Sequence, residues 1–158
     1  MIAPVREIPA IIRPMVHGDL GQVSDVERRS YEFPWSHGVF RDCLLAGYHC
    51  IVVEREGRVV GYAILSVAAS EAHILNLCIH PTFRKHGYGE RLLASLIEFS
   101  RKAEVREMFL EVRPSNTAAI ALYRKKGFRH IANRPSYYQA TKGREDASVL
   151  TKSLKRHD

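Results

Sequence analysis

Apolar positions along this chain keep two spacings, one near every second residue and one near 3.6, and the switches between them mark out its elements. Alternating or short unbroken apolar runs predict strands over residues 10–14, 48–54, 58–67, 72–80 and 108–112. Leu20, Val23 and Val26 recur at helical spacing behind Asp19, a capping residue type, and predict a helix over residues 20–30. Ser36 takes the same place before a second helix, residues 36–45. Leu92, Leu93, Leu96 and Ile97 stripe a third helix that ends near Ala103. A fourth covers residues 116–126 and stops at Gly127, a glycine at the C′ position. Residues 128–131, 137–139 and 147–154 supply the remaining strands, and Arg55, Glu56 and Gly57 make a hairpin turn between the second strand and the third.

This order alternates helices with a mostly antiparallel sheet that has room for one parallel join. It predicts an α+β or mixed α/β domain in three layers. With 158 residues, 46% of them hydrophobic, the chain suits one core, able to bury about 70% of its unfolded surface. We expect a loose arm over residues 1–9, one domain over 10–154 and a short tail over 155–158.

Charge narrows the partners. A net charge of +7 favours a phosphorylated cofactor, an acidic protein or a ribosome surface, although a basic surface also serves solubility. The three cysteines, Cys43, Cys50 and Cys78, have no C-x-x-C spacing and read as reduced core thiols. Eight scattered histidines lack a ligand spacing, so no metal is expected. No apolar leader and no run of about 18 apolar residues occurs, which predicts a cytoplasmic protein without a membrane span.

The chemistry concentrates in two stretches. In the first, the strand residues Leu77, Cys78 and Ile79 run into Arg84, Lys85, His86, Gly87, Tyr88, Gly89 and Glu90, and the third helix begins there. A helix start has N–H groups without intrahelical partners and the positive end of the macrodipole, so it suits an anion. The order Arg84-x-x-Gly87-x-Gly89 matches neither the dinucleotide fingerprint nor the P-loop. In the second stretch Glu111 alternates with Leu110 and Val112 and so faces away from them. Asn116 follows as a cap, and Tyr123 falls about two turns later on the same helix face. A solvated Glu111, a capping Asn116 and a core Tyr123 would be the purely structural account.

The first stretch resembles the (Gln/Arg)-x-x-Gly-x-(Gly/Ala) loop of the GCN5-related N-acetyltransferases (GNAT). The second, from Glu111 through Asn116 and Tyr123 to Phe128, narrows the resemblance to RimI-type N-terminal acetyltransferases, enzymes similar to those that acetylate the N-terminal alanine of ribosomal protein S18. Phe33, Pro34, Trp35 and Ser36 near the start, and Tyr137 and Tyr138 near the end, support it. The resemblance covers about residues 12–154, with His80 and Pro114 the less usual positions.

Several expectations follow from it. The fold would be the seven-stranded acetyltransferase fold, its fourth and fifth strands splayed to admit pantetheine. Main-chain groups of Leu77, Cys78 and Ile79 would pair with the pantetheine of acetyl-CoA, residues 85–90 would wrap its pyrophosphate after Arg84, and Asn116 would bond the cofactor arm. Glu111 would be the general base and Tyr123 the general acid. Trp35, Tyr137 and Tyr138 would flank a protein N-terminus, in a monomer or weak dimer without direct nucleic-acid binding.

Acetyl transfer from a thioester needs a neutral amine, a donor for the developing oxyanion and a proton for the thiolate. At pH 7 an α-amine of pKa about 8 costs roughly 1.4 kcal/mol to deprotonate, against roughly 4.6 kcal/mol for a lysine of pKa about 10.4. One carboxylate base therefore favours N-termini. Two other classes compete: an acetyltransferase for small amines such as polyamines, aminoglycosides or amino acids, which an acidic pocket would favour, and a non-catalytic ribosome- or RNA-binding module.

Overall fold

The computed structural model describes residues 8–154, so the tail expected over 155–158 and most of the N-terminal arm lie outside them. Along the chain run β1 (Ala10–Pro14), α1 (Leu20–Ser30), α2 (His37–Leu45), β2 (His49–Arg55), β3 (Arg58–Ala68), β4 (Glu71–Ile79), α3 (Tyr88–Lys102), β5 (Glu107–Val112), α4 (Thr117–Lys125), β6 (Arg129–Gln139) and β7 (Arg144–Ser153). Seven strands form one sheet in the order β1-β2-β3-β4-β5-β7-β6. Among the described residues the one parallel join is β4 to β5. A mixed sheet flanked by helices is therefore the fold.

Two apolar clusters, one on each face, hold the layers together. Leu92, Leu93 and Leu96 of α3 are fully buried against Val53, Ala63, Ile74 and Leu110 of the sheet. Leu20, Val23 and Val26 of α1 join Phe40 of α2 over Val52, Tyr62 and Ile64. Burying one such aliphatic side chain contributes about 1.5–3 kcal/mol, so the helical stripes fix which face of each helix meets the sheet.

Local signals explain several boundaries. The β2–β3 hairpin turns on Glu56 and Gly57, both at positive φ (51° and 76°), the primed geometry that matches strand twist. Ser36 Oγ accepts the N–H of Val39 and caps α2. Gly127 ends α4 at φ 94°.

Two boundaries differ from expectation. Asp19 precedes α1 but does not cap it; its carboxylate accepts from the Arg13 guanidinium (2.8 and 2.9 Å) and from Val16 N–H (2.8 Å). The runs at 128–131 and 137–139 are one strand, β6, continuous through Pro135. A proline is tolerated there because β6 is the edge of the sheet, and the register slips between Arg134 and Tyr138.

Pairing of β4 with β5 ends at Ile74 and Leu110, whereas β4 continues to Ile79. A bulge on β4 follows at once, since Ile64 opposes Asn76 and Leu65 opposes Ile74, with Leu75 left over. The two strands part at the bulge, and among the described residues the far half of β4 keeps an edge with no neighbouring strand.

Candidate active site

The parted strands open into a cavity of about 470 Å³. Leu77 of β4, Glu111 of β5, Asn116 at the cap of α4 and Tyr123 of α4 all line it, together with Trp35 and Tyr138. Residues separated by up to 103 positions in the chain thus meet at one place. Tyr137 lies behind this wall, packed against the Tyr138 ring (4.7 Å between centroids) and under the Arg134 guanidinium (4.6 Å).

Main-chain direction follows from one hydrogen bond. His80 N–H donates to Val60 O of β3 at 2.8 Å. Strand alternation then turns the N–H and C=O of Ile79 and Leu77 the other way, into the gap. The side chain of Cys78 belongs to the α1-facing core, so only its backbone lies near the gap's rim.

At the end of β4, Lys85 (φ 66°) and Gly87 (φ 80°) both sit in the left-handed region, and α3 starts at Tyr88. The Arg91 N–H reaches back to Gly87 O, leaving the N–H groups of Tyr88, Gly89 and Glu90 at the open helix start. A Cβ at Gly87 would meet open space, whereas one at Gly89 would sit 3.4 Å from Leu122 of α4. Gly89 therefore also serves helix packing. Arg84 donates to Ile79 O at 3.4 Å. The Glu90 carboxylate turns away to Lys125 and Lys126 (3.2 and 2.9 Å). A left-handed turn, free N–H groups and an open Gly87 are the features a phosphate-bearing cofactor requires, so this loop fits one.

Glu111 is not the solvated carboxylate of the structural account. Its side chain is only 12% exposed, one oxygen in contact with His73 Nε2 and the other accepting from Arg134 at 3.1 Å. The His73 contact, aided by Arg134, holds its pKa below the ordinary value despite burial. Tyr123 is almost fully buried, and desolvation raises its pKa well above the ordinary value, so it keeps its proton. Asn116 Oδ1 accepts from Ala119 N–H at 3.2 Å and caps α4.

Glu27 was among the site residues that escaped the sequence reading. Glu27 of α1 is 2% exposed and lines the cavity. Its carboxylate accepts from the Tyr62 hydroxyl, Asn76 Nδ2 (3.0 Å) and the Trp35 N–H (2.8 Å), which fixes the loop that carries Trp35. The available signal was a charge on the Leu20, Val23 stripe, where a buried carboxylate needs partners. Thr141, beyond β6, donates to Glu32 at 2.9 Å and ties the two roofing loops together.

The sequence model of the Acetyltransferase (GNAT) family matches residues 20–128. This chain belongs to that family. The acetyltransferase is 37% identical over 132 residues to the [Ribosomal protein bS18]-alanine N-acetyltransferase of Escherichia coli strain K12, covering 84% of this chain and 89% of that one. The crystal structure of the ribosomal-protein-S18-alanine N-acetyltransferase from Escherichia coli superposes with a TM-score of 0.88 at 33% identity, covering 95% and 97% of the two chains. A Salmonella typhimurium protein, yncA, solved with its cofactor acetyl-CoA, shares the fold alone (TM-score 0.80, 20% identity, 95% and 96% covered). Family membership makes the protein an acetyl-CoA-dependent N-acetyltransferase. Among its described residues no helix is long and apolar enough to cross a membrane.

Proposed function

We propose that this enzyme acetylates the α-amine of a protein N-terminus, with the N-terminal alanine of ribosomal protein S18 as its acceptor. The observation that carries the proposal is the meeting of Glu111 and Tyr123 in one cavity, at the point where β4 and β5 part and under a roof that includes Trp35 and Tyr138. The similarity to S18-alanine acetyltransferases over most of both chains supports the choice of acceptor.

In this reading acetyl-CoA supplies an activated acetyl group. The N–H groups of Tyr88, Gly89 and Glu90, with Lys85, His86 and Gly87, hold its pyrophosphate beside Arg84. Main-chain groups of Leu77 and Ile79 hold the pantetheine, whereas those of Cys78, expected to join them, face β3 by the same alternation. Asn116 bonds the same arm. Ile79 N–H, turned into the gap, donates to the carbonyl oxygen as negative charge develops on it. Glu111 takes a proton from the attacking amine, directly or through a water, and Tyr123 gives one to the departing sulfur. Tyr123 suits that task because burial keeps it protonated. Trp35 and Tyr138 offer aromatic walls to an extended peptide, with Tyr137 behind them.

A second reading has one observation in its favour. Glu27, Glu32, Glu111 and Glu145 all reach the cavity wall, which would also suit a small polycation. Each carboxylate already has a protein donor: Trp35 N–H at Glu27, Thr141 at Glu32, Arg134 at Glu111 and Ser115 at Glu145. The N-terminal reading is therefore preferred. The deciding assay supplies acetyl-CoA with the S18 N-terminal peptide beginning Ala-Arg, its N-terminally blocked copy, and a panel of polyamines and aminoglycosides. The free peptide should be turned over fastest. Equal turnover of the blocked peptide, or preference for a small amine, would overturn the proposal.

A further inference from the structure

An α-ammonium that becomes an amide loses two protons, and only one of them is needed by the departing sulfur. The other must leave a cavity whose base, Glu111, is shielded from water. Its side chain is 12% exposed, whereas that of His73, in contact with its Oε2, is 38% exposed. Glu111 lines the cavity and His73 does not. The pair therefore spans the cavity wall from inside to outside.

Strand register builds this arrangement. His73 pairs with Phe109 across the parallel β4–β5 join, so Glu111, two residues further along β5, shares its face. Ala72, Ile74, Leu110 and Val112 occupy the opposite face, in the α3 core. The strand neighbours of His73, Ser66 on β3 and Phe109 on β5, do not titrate in the physiological range. The charged and titratable groups around the pair come from β6 and from the residue that follows β5: Arg134 at the second Glu111 oxygen, Tyr138 near that carboxylate, and Arg113 over the Tyr138 ring at 4.4 Å. Arg134 is itself seated on Tyr137. It occupies Oε1 of Glu111 and leaves Oε2 to the imidazole.

We propose that His73 is a positioning and proton-relay residue, acting through Glu111 to carry the acceptor's surplus proton from the cavity to solvent. This rests on the acetyltransfer reading above. While Glu111 is ionised the ring donates Nε2–H to it. The amine N–H bond breaks as Glu111 gains the proton, and the ring exchanges its own proton through water from Nε2 to Nδ1. The carboxyl group then hands its proton to the freed Nε2. The ring then holds a proton on each nitrogen. It releases the Nδ1 proton to water at its exposed edge, which leaves the starting Nε2–H tautomer. Imidazole suits the step because it exchanges protons with water near neutral pH. The sulfur's proton comes from Tyr123, and the amine's other proton returns to the Tyr123 oxygen, so the tyrosine is restored and the charges balance.

His73→Gln tests this, since glutamine keeps a polar group against Glu111 but cannot relay a proton. Its kcat should fall at least about tenfold while KM for acetyl-CoA stays unchanged, and the pH profile of kcat should change shape. His73→Ala should regain activity when imidazole is added. The assay uses whichever amine of the panel the wild type acetylates fastest, so that an error about the S18 peptide leaves this test standing. A readout free of turnover is the ¹⁵N shift of the His73 ring, which reports its tautomer and should move in Glu111→Gln but not in Tyr123→Phe. Wild-type kcat and pH profile in His73→Gln, no rescue of His73→Ala by imidazole, or a ring shift indifferent to Glu111→Gln would each overturn the relay.

Discussion

The Glu27 carboxylate accepts the backbone N–H of Trp35 at 2.8 Å, so a helix residue fixed on the sheet holds the loop that roofs the cavity. The same carboxylate receives the Tyr62 hydroxyl and Asn76 Nδ2, both from strands. Glu27→Ala leaves three donors without their acceptor, and one buried unpaired polar group costs about 1–3 kcal/mol. Stability should fall by at least that much in urea unfolding. KM for the acceptor should rise more than KM for acetyl-CoA, because the roof and not the cofactor loop is released. A stable variant with an unchanged acceptor KM would show that Trp35 is held by other means.

Gly87 and Gly89 separate two roles that look alike in the sequence. Gly87 has φ 80° and open space where a Cβ would stand, so Gly87→Val strains the backbone by about 1–2 kcal/mol and crowds the helix start. Gly89 has no such φ but faces Leu122 at 3.4 Å, so valine there pushes α3 from α4. We expect Gly87→Val to lose acetyl-CoA affinity at least tenfold in calorimetry with a modest loss of Tm. Gly89→Val should lose both. Unchanged affinity in the two variants would remove the loop from the cofactor site.

Glu111→Gln and Tyr123→Phe should fold, bind acetyl-CoA and lose kcat by about 10²-fold or more. Tyr123 has a further signature. Because burial raises its pKa, phenolate formation should not limit activity below about pH 10, so any alkaline loss in that range belongs to another group. Losses confined to Tm in both variants would return Glu111 and Tyr123 to packing.

What the sequence disclosed was local. The helical stripes of α1 and α3, the Ser36 and Asn116 caps and the Gly127 stop are set within a turn or two of chain, and each lies where the pattern placed it. Glu111 and Tyr123 were legible only through the resemblance, since spacing alone left packing as an equal account. The partners were not legible. His73 meets Glu111 across 38 residues and Asn76 meets Glu27 across 49, contacts set by strand register and helix placement. Asp19 shows the limit even at short range. Local chemistry favoured a cap, but Arg13 on the neighbouring strand offers two charge-assisted bonds where capping α1 offers one neutral donor.

That diverted carboxylate gives a prediction about acid stability. Asp19 is buried, and the Arg13 guanidinium, itself also held by Glu54 at 2.7 Å, keeps the Asp19 pKa below its ordinary value near 3.8. A carboxylate held below its unfolded value contributes stability that is complete above the unfolded pKa and is lost as pH falls through the folded one. Hydrogen bonds to charged groups contribute about 1.5–3 kcal/mol, so Asp19→Asn should lower unfolding free energy by roughly that amount at pH 7. From about pH 5 to pH 8 the gap between wild type and variant should stay constant, since the carboxylate is ionised in both folded and unfolded chains. Below about pH 3.8 the wild type should lose stability faster than Asp19→Asn, and the gap should close. Asp25 is the control. It pairs with Arg28 and Arg29 on the exposed face of α1, and Asp25→Asn should leave unfolding nearly unchanged, because solvent screens surface pairs. Urea unfolding at four pH values between about 2.5 and 7 measures all three proteins. A wild-type to Asp19→Asn gap as wide at the lowest pH as at neutrality would mean that the asparagine disturbs packing, and that the Arg13 bond carries little of the stability at this corner.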